Sequence, residues 1–153
     1  MKLKFGDIAK DKITGFTGVV IARTMWINNC DRLTLQPREV KDGKPIACSS
    51  FDEPNLEFVE STEIKVFKVR RPEVPIELMD TVKDSLTNLT GVAVNRTEWL
   101  NGCTRVGVQP KELKDGIPVD YTVFDETDLI LVERPEGTKP KPKTGGPRPE
   151  PRR

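Results

Sequence analysis

Residues 14–32, TGFTGVVIARTMWINNCDR, come back at residues 87–105 as TNLTGVAVNRTEWLNGCTR, and that return decides the fold. The offset is 73 residues, and it holds without a gap from Leu3 against Ile76 to Glu60 against Glu133. Of the 58 aligned pairs 26 are identical, where chance would supply only a few. Self-similarity at a fixed spacing marks a repeat architecture, but two copies are too few to stack as a solenoid. Each copy must therefore close its own core or share one with its twin.

Within one copy the signals are those of short strands. DIAKD at 7–11 opens the unit, and two glycines at Gly15 and Gly18 turn the chain into the β-branched run 19–23. Alternation in that run, and in residues 92–96, places Val19, Ile21, Val92 and Val94 on an inward face and Asn95 on the other. Residues 32–36 and 105–109 alternate as well. They predict a core of Leu33, Leu35, Val106 and Val108, with Arg32, Gln36, Arg105 and Gln109 facing out or toward a partner. Pro37 and Pro110 end that strand, and Asp42-Gly43 and Asp115-Gly116 form tight turns. Phe51, Leu56, Phe124 and Leu129 lie in the closing strands. No segment keeps a 3.6-residue period with caps, so little helix is expected.

Four to five strands per copy, opened by a D-x-[VA]-K-D strand and a glycine turn, resemble the Src-homology-3-like layout in its KOW or Tudor-like variants. The resemblance implies an all-β chain of two tandem small barrels, 1–69 and 76–134, joined by a linker at 70–75. Residues 63–69 alternate and read as a last strand of the first barrel. Residues 135–153, rich in Pro, Gly and basic residues, read as a disordered tail. Its Lys and Arg would favour an acidic surface or nucleic acid.

The same motifs resemble short uncharacterised proteins of phage and prophage type. The residues that carry this are TGFTGVV (14–20), NNC-x-R (28–32), LQP (35–37), KDGKP (41–45) and FDE (51–53). Their second appearance is TNLTGVA (87–93), NGC-x-R (101–105), VQP (108–110), KDGIP (114–118) and FDE (124–126). The resemblance covers both copies and implies an origin and a fold. It carries no mechanism.

Composition narrows the chemistry. Lys+Arg number 25 against 24 Asp+Glu, so no global field draws the chain to nucleic acid or an anionic membrane. There is no histidine, which removes Ser-His-Asp, Cys-His and His-ligated zinc sites. Phosphate-cradling glycine loops are absent. Cys30, Cys48 and Cys103 form no disulfide framework and fit a reducing, cytoplasmic compartment, that of a bacterial host for a phage protein. Cys30 and Cys103, at matched positions, read as small buried side chains. The N-terminal residues have no signal-peptide character, and no run is long enough to cross a membrane. The recurring acids Asp52-Glu53 and Asp125-Glu126 read as solvated or locally capping.

No catalytic residue, metal ligand or cofactor is expected. The candidates are recurring polar and aromatic residues that a small barrel does not obviously need: Arg23, Trp26 and Arg32, with Arg96, Trp99 and Arg105. Arg forks onto carboxylate or phosphate, and Trp offers a stacking plane. The alternative is structural, with Trp in a core and Arg on a recurring acid such as Asp7 or Asp52. The leading expectation is a binding module with two equivalent sites for a protein, a nucleic acid or a small anion. A phage virion or assembly component is the other reading, with homo-oligomers open, and a histidine-free hydrolase comes last.

Overall fold

The computed structural model describes residues 2–136, so the expected disorder of the tail lies outside the described residues from position 137 on. The first copy contains β1 (Asp7–Asp11), β2 (Thr17–Trp26), β3 (Arg32–Gln36), β4 (Val40–Lys41), β5 (Lys44–Pro45), β6 (Ser49–Asp52) and β7 (Leu56–Ser61). The second repeats them as β8 (Thr81–Asp84), β9 (Thr90–Trp99), β10 (Thr104–Gln109), β11 (Leu113–Lys114), β12 (Ile117–Pro118), β13 (Thr122–Asp125) and β14 (Leu129–Glu133). One 3-10 turn precedes the last strand of each copy, Glu53–Asn55 and Glu126–Asp128. The chain is all-β, with antiparallel ladders throughout. Among the described residues no helix is long and apolar enough to cross a membrane.

In the first copy the strands run β7-β1-β2-β3-β6, and in the second β14-β8-β9-β10-β13. The expected barrels are not closed, because no ladder among the described residues joins β6 to β7 or β13 to β14. Instead β2 pairs antiparallel with β9, so both copies share a single ten-stranded sheet. The cause is strand length. β1 covers only residues 17–19 of β2, and the far half would be an open edge. β9 covers that edge along Ala22 to Trp26.

Each copy nevertheless keeps its own core. Leu3, Ala9, Val20, Leu33, Leu35 and Leu56 form one, with Phe5, Phe16 and Phe51 against it. Ile76, Val82, Ala93, Val106, Val108 and Leu129 form the other, with Leu89, Phe124 and Leu131. Leu33, Leu35, Val106 and Val108 lie where their alternation put them. For β2 and β9 the expectation holds only in part: Val19 is buried, but Val20 and Ala93 face the cores, while Ile21, Val92 and Val94 are only half-buried. The pairing with β3 skips Ile21, and the pairing with β10 skips Val94. Each is the extra residue of a β-bulge, which resets the alternation.

Glycine is needed where backbones meet. A Cβ on Gly18 would lie 2.7 Å from the Gln36 carbonyl carbon, and one on Gly91 at the same distance from that of Gln109. Residues 63–69 form no strand. Ile64 and Val66 lie against Gly6 of the first copy, and the segment then meets the second, with Phe67 N donating to Leu100 O (2.9 Å) and Arg70 N to Gly102 O (3.0 Å). Gly102, at φ +86°, leaves room for the Lys68 carbonyl, which a Cβ would meet at 2.7 Å.

Recurring aspartates tie down the first turn and the start of each unit. Asp11 accepts from Thr14 N (2.8 Å) and Thr14 Oγ1 (2.6 Å), and Asp84 does the same with Thr87 at the same two distances. The threonine hydroxyl bonds, then the amide bonds, hold both carboxyls below their ordinary range. Asp7 and Asp80 hold the start of each unit. Asp7 accepts from Ser61 Oγ at 3.0 Å, and fully buried Asp80 takes Arg134 bidentately at 2.9 and 2.7 Å. Ser61 and Arg134 are themselves counterparts at the offset of 73.

Two outcomes follow for stability. A lowered folded-state pKa adds stability that is complete above the ordinary carboxylate range, about pH 4, and lost as pH falls through it toward the lowered value. The Thr14→Val/Thr87→Val double variant should therefore lose less of its urea midpoint than the wild type between pH 7 and pH 3. An equal loss would show that these turns are not the acid-sensitive element. Separately, Arg134→Ala leaves buried Asp80 unpaired and should cost about 3 kcal/mol, roughly 10 °C in melting temperature. Ser61→Ala should cost about 1 kcal/mol, and a calorimetric scan of both variants tests the ranking.

A candidate binding face at the junction of the two copies

The β2–β9 ladder pairs Ala22 with Trp99, Arg23 with Glu98, Thr24 with Thr97, Met25 with Arg96 and Trp26 with Asn95. Thr24 thus meets its own counterpart, so a pseudo-two-fold axis passes between them, and their hydroxyls are 2.9 Å apart. Residues opposite one another in antiparallel strands share a face. One row therefore crosses six strands as Asp52, Arg32, Thr24, Thr97, Arg105 and Asp125. A second row is Trp26, Asn95, Gly107 and Val123, and its symmetry mate is Trp99, Ala22, Thr34 and Ser50.

Four of the six candidate residues thus lie on one face. Arg32 and Arg105 are exposed, as their parity implied, and each is paired. Arg32 Nε lies 3.1 Å from Asp52 Oδ1 and Arg105 Nε 3.2 Å from Asp125 Oδ1, with all four side chains about half exposed. Trp26 and Trp99 end their strands half-buried, each opposite a residue of the other copy. The face is concave, because a groove of about 220 Å³ brings in residues from β6 and β13, the outermost of the six strands. It joins Trp26, Arg32 and Ser50 of the first copy to Asn95, Tyr121 and Val123 of the second, with Thr24 and Thr97 between. The Trp26 and Tyr121 rings meet edge to face at 5.6 Å.

Arg23 and Arg96 lie apart from this face, on the core side. Arg23 is bidentate to Glu53 at 2.7 and 2.9 Å and reaches Asp31 at 3.2 Å. Arg96 binds Glu126 at 2.6 Å and Glu98 at 3.2 Å. Both also donate to backbone carbonyls, of Leu3 and Ile76 respectively. Their side chains are 12% and 5% exposed, and internal acids occupy them, so neither offers a free guanidinium to a partner. The Arg23 bond and charge pull Glu53 below its ordinary range against the effect of burial. Burial disfavours charge on Arg96, and the bonds and field of Glu126 and Glu98 outweigh it.

The two arginine clusters conserve charge by a different route. Asp31 becomes Thr104 in the second copy, and Met25 becomes Glu98, so the second acid moves from one flank of the arginine to the other. The acid pairs expected to be solvated split in the same way. Asp52 and Asp125 are half-exposed, whereas Glu126 is 2% exposed under Arg96.

Other recurring residues are structural. Asn28 and Asn101 accept from the amides of Cys30 and Cys103 at 3.1 and 3.0 Å. Gln36 donates to Ile46 O at 2.7 Å, and Gln109 donates to Val119 O, which pins the base of each hairpin. Cys30 and Cys103, expected to be buried, are exposed on turns. Sequence reading missed Tyr121 and Asn95, because recurrence was the filter and their counterparts are Cys48 and Ala22. Comparison with protein-family models, curated proteins and solved structures finds no match for the chain.

Removing one partner of a buried pair costs far more than removing an exposed one. Arg96→Ala should therefore destabilise the fold by about 3–5 kcal/mol. Arg32→Ala and Arg105→Ala should each cost no more than about 1 kcal/mol. Chemical denaturation distinguishes them, and comparable losses at Arg32 would make the exposed pairs part of the scaffold.

Proposed function

We propose that the chain is a non-enzymatic binding module made of two Src-homology-3-like units fused edge to edge, and that the concave face at their junction is its recognition surface. The layout of each unit supports the first part: a five-strand order with the first strand second from one edge, and a 3-10 turn before the last strand. The phage-type motif pattern and an intracellular site of action belong to the same reading.

The observation that carries the function is the convergence of Trp26, Arg32, Trp99 and Arg105 on one face. Rigid aromatic rings beside arginine are what contact surfaces use for affinity and orientation. A stable ladder, rather than a mobile loop, holds these groups in place.

The test uses the whole chain as bait against a random peptide display library and a random single-stranded oligonucleotide library. Selected binders should lose about tenfold or more in affinity, near 1.4 kcal/mol, for the Trp26→Ala/Arg32→Ala variant, with the fold intact by circular dichroism. Failure to select any binder, or binders indifferent to these changes, would remove the face as the recognition surface.

A further inference from the structure

We propose that only one half of this face is the working site. The groove walled by the Trp26–Tyr121 pair takes a single aromatic or aliphatic side chain of an uncharged, extended polypeptide, one per chain. This inference rests on the binding-module reading and names its partner.

The first argument is the departure from symmetry. The two-fold operation carries Tyr121 onto Cys48, Val123 onto Ser50 and Asn95 onto Ala22. Trp26 therefore has an aromatic partner and Trp99 does not. Trp99 is also sealed at its polar edge, with Nε1 buried and without a hydrogen-bond partner. The groove wall supplied by the second copy is apolar where its counterpart in the first is not. Tyr121 and Val123, which line it, are 42% and 40% exposed. In the first copy the matching positions are Cys48 and Ser50.

Charge decides between a polypeptide and a nucleic acid. Affinity for a phosphate backbone comes from cations that shed its counterions. The cations beside this groove are neutralised: Arg32 holds Asp52 and donates to Ser50 O at 3.1 Å, and Arg105 holds Asp125. A polyanion would have to displace these carboxylates, and a charged side chain would meet no unpaired counter-ion. An uncharged guest meets neither obstacle.

Size and rim chemistry set the rest. At about 220 Å³ the groove falls below the roughly 300–1,000 Å³ of small-molecule sites and suits one large side chain. Around it the Thr24/Thr97 and Thr34/Ser50 hydroxyls are bonded in pairs at 2.9 and 2.8 Å. In each pair one hydroxyl donates to the other, which leaves the second proton and several lone pairs for peptide N–H and C=O groups.

The chain has two tryptophans, so two indole N–H resonances report the two halves of the face separately. A Trp99→Phe variant assigns them. The ¹⁵N-labelled chain is titrated with blocked pentapeptides, acetyl-Gly-Ser-X-Ser-Gly-amide, in which X is Phe, Leu, Glu or Lys, and with a pentathymidine oligonucleotide. The Phe and Leu peptides should shift the Trp26 indole saturably at one per chain, with about tenfold weaker binding by the Glu and Lys peptides. The Trp99 indole should stay still. Tyr121→Ser should abolish the Trp26 response, and Val123→Ser, farther along the same wall, should weaken it. Equal responses at both indoles would overturn the single groove while leaving a binding module with two sites. A response to the oligonucleotide and not to the peptides would overturn the polypeptide. Silence of both indoles with every probe would overturn this inference and the binding face together.

Discussion

The ladder between β2 and β9 is the constraint on which the other features rest. A strand can pair antiparallel with its own duplicate in equivalent surroundings only about a two-fold axis, and Thr24 against Thr97 puts that axis between identical residues. The contact therefore has the geometry of a symmetric dimer held within a single chain. The far half of β2 pairs with β3 on one side, and a lone copy would leave its other side as an unpaired edge.

The bulges make this joint compatible with two separate cores. Skipping Ile21 lets Val20 and Arg23 both point to the core side of β2, while Ala22, Thr24 and Trp26 point to the shared face. The bulged carbonyls are also used. Ile21 O accepts from Leu100 N at 2.7 Å, and Val94 O from Ile27 N at 3.1 Å. One irregular residue per copy thus turns a guanidinium under the core, a tryptophan onto the face and a carbonyl toward the other copy. Arg23 and Arg96 then close the open ends of the cores. Their length lets them reach Glu53 and Glu126 in the turn before the last strand, where a shorter side chain would leave buried Glu126 without its nearest cation.

How much of this was legible in the sequence varies with the range of the interaction involved. The strands, the turns at Asp42-Gly43 and Asp115-Gly116 and the cores around Leu33 and Val106 are local patterns, and alternation reads them directly. The bulge escaped because Ile21 and Val94 are as apolar as their neighbours, so nothing in composition says that one of them is extra. The open sheet escaped for a different reason. Pairing between β2 and β9 joins segments 73 residues apart, and no periodicity within either segment reports on it. The candidate set was half legible. The parity of Arg32 and Arg105 is a local property, whereas the acids that hold Arg23 and Arg96 come from turns 30 residues away.

Identity between the copies is best understood through the same joint. Recurrence at Thr24/Thr97 and Trp26/Trp99 fits symmetric packing across the β2–β9 contact, whereas Ala22/Asn95 and Met25/Glu98 on the same ladder have diverged. Recurrence therefore reports on the scaffold first. A ligand that is not itself symmetric cannot use both halves of a symmetric face in the same way, and discrimination has to come from positions where the halves differ. On this face those positions are 48 and 121, 50 and 123, and 22 and 95, and all of the aromatic and branched apolar gain among them falls on one side. The duplicated ladder supplies a rigid floor that both copies must keep. The departures from duplication, with Tyr121 the largest of them, are where one side of that floor acquired a shape of its own.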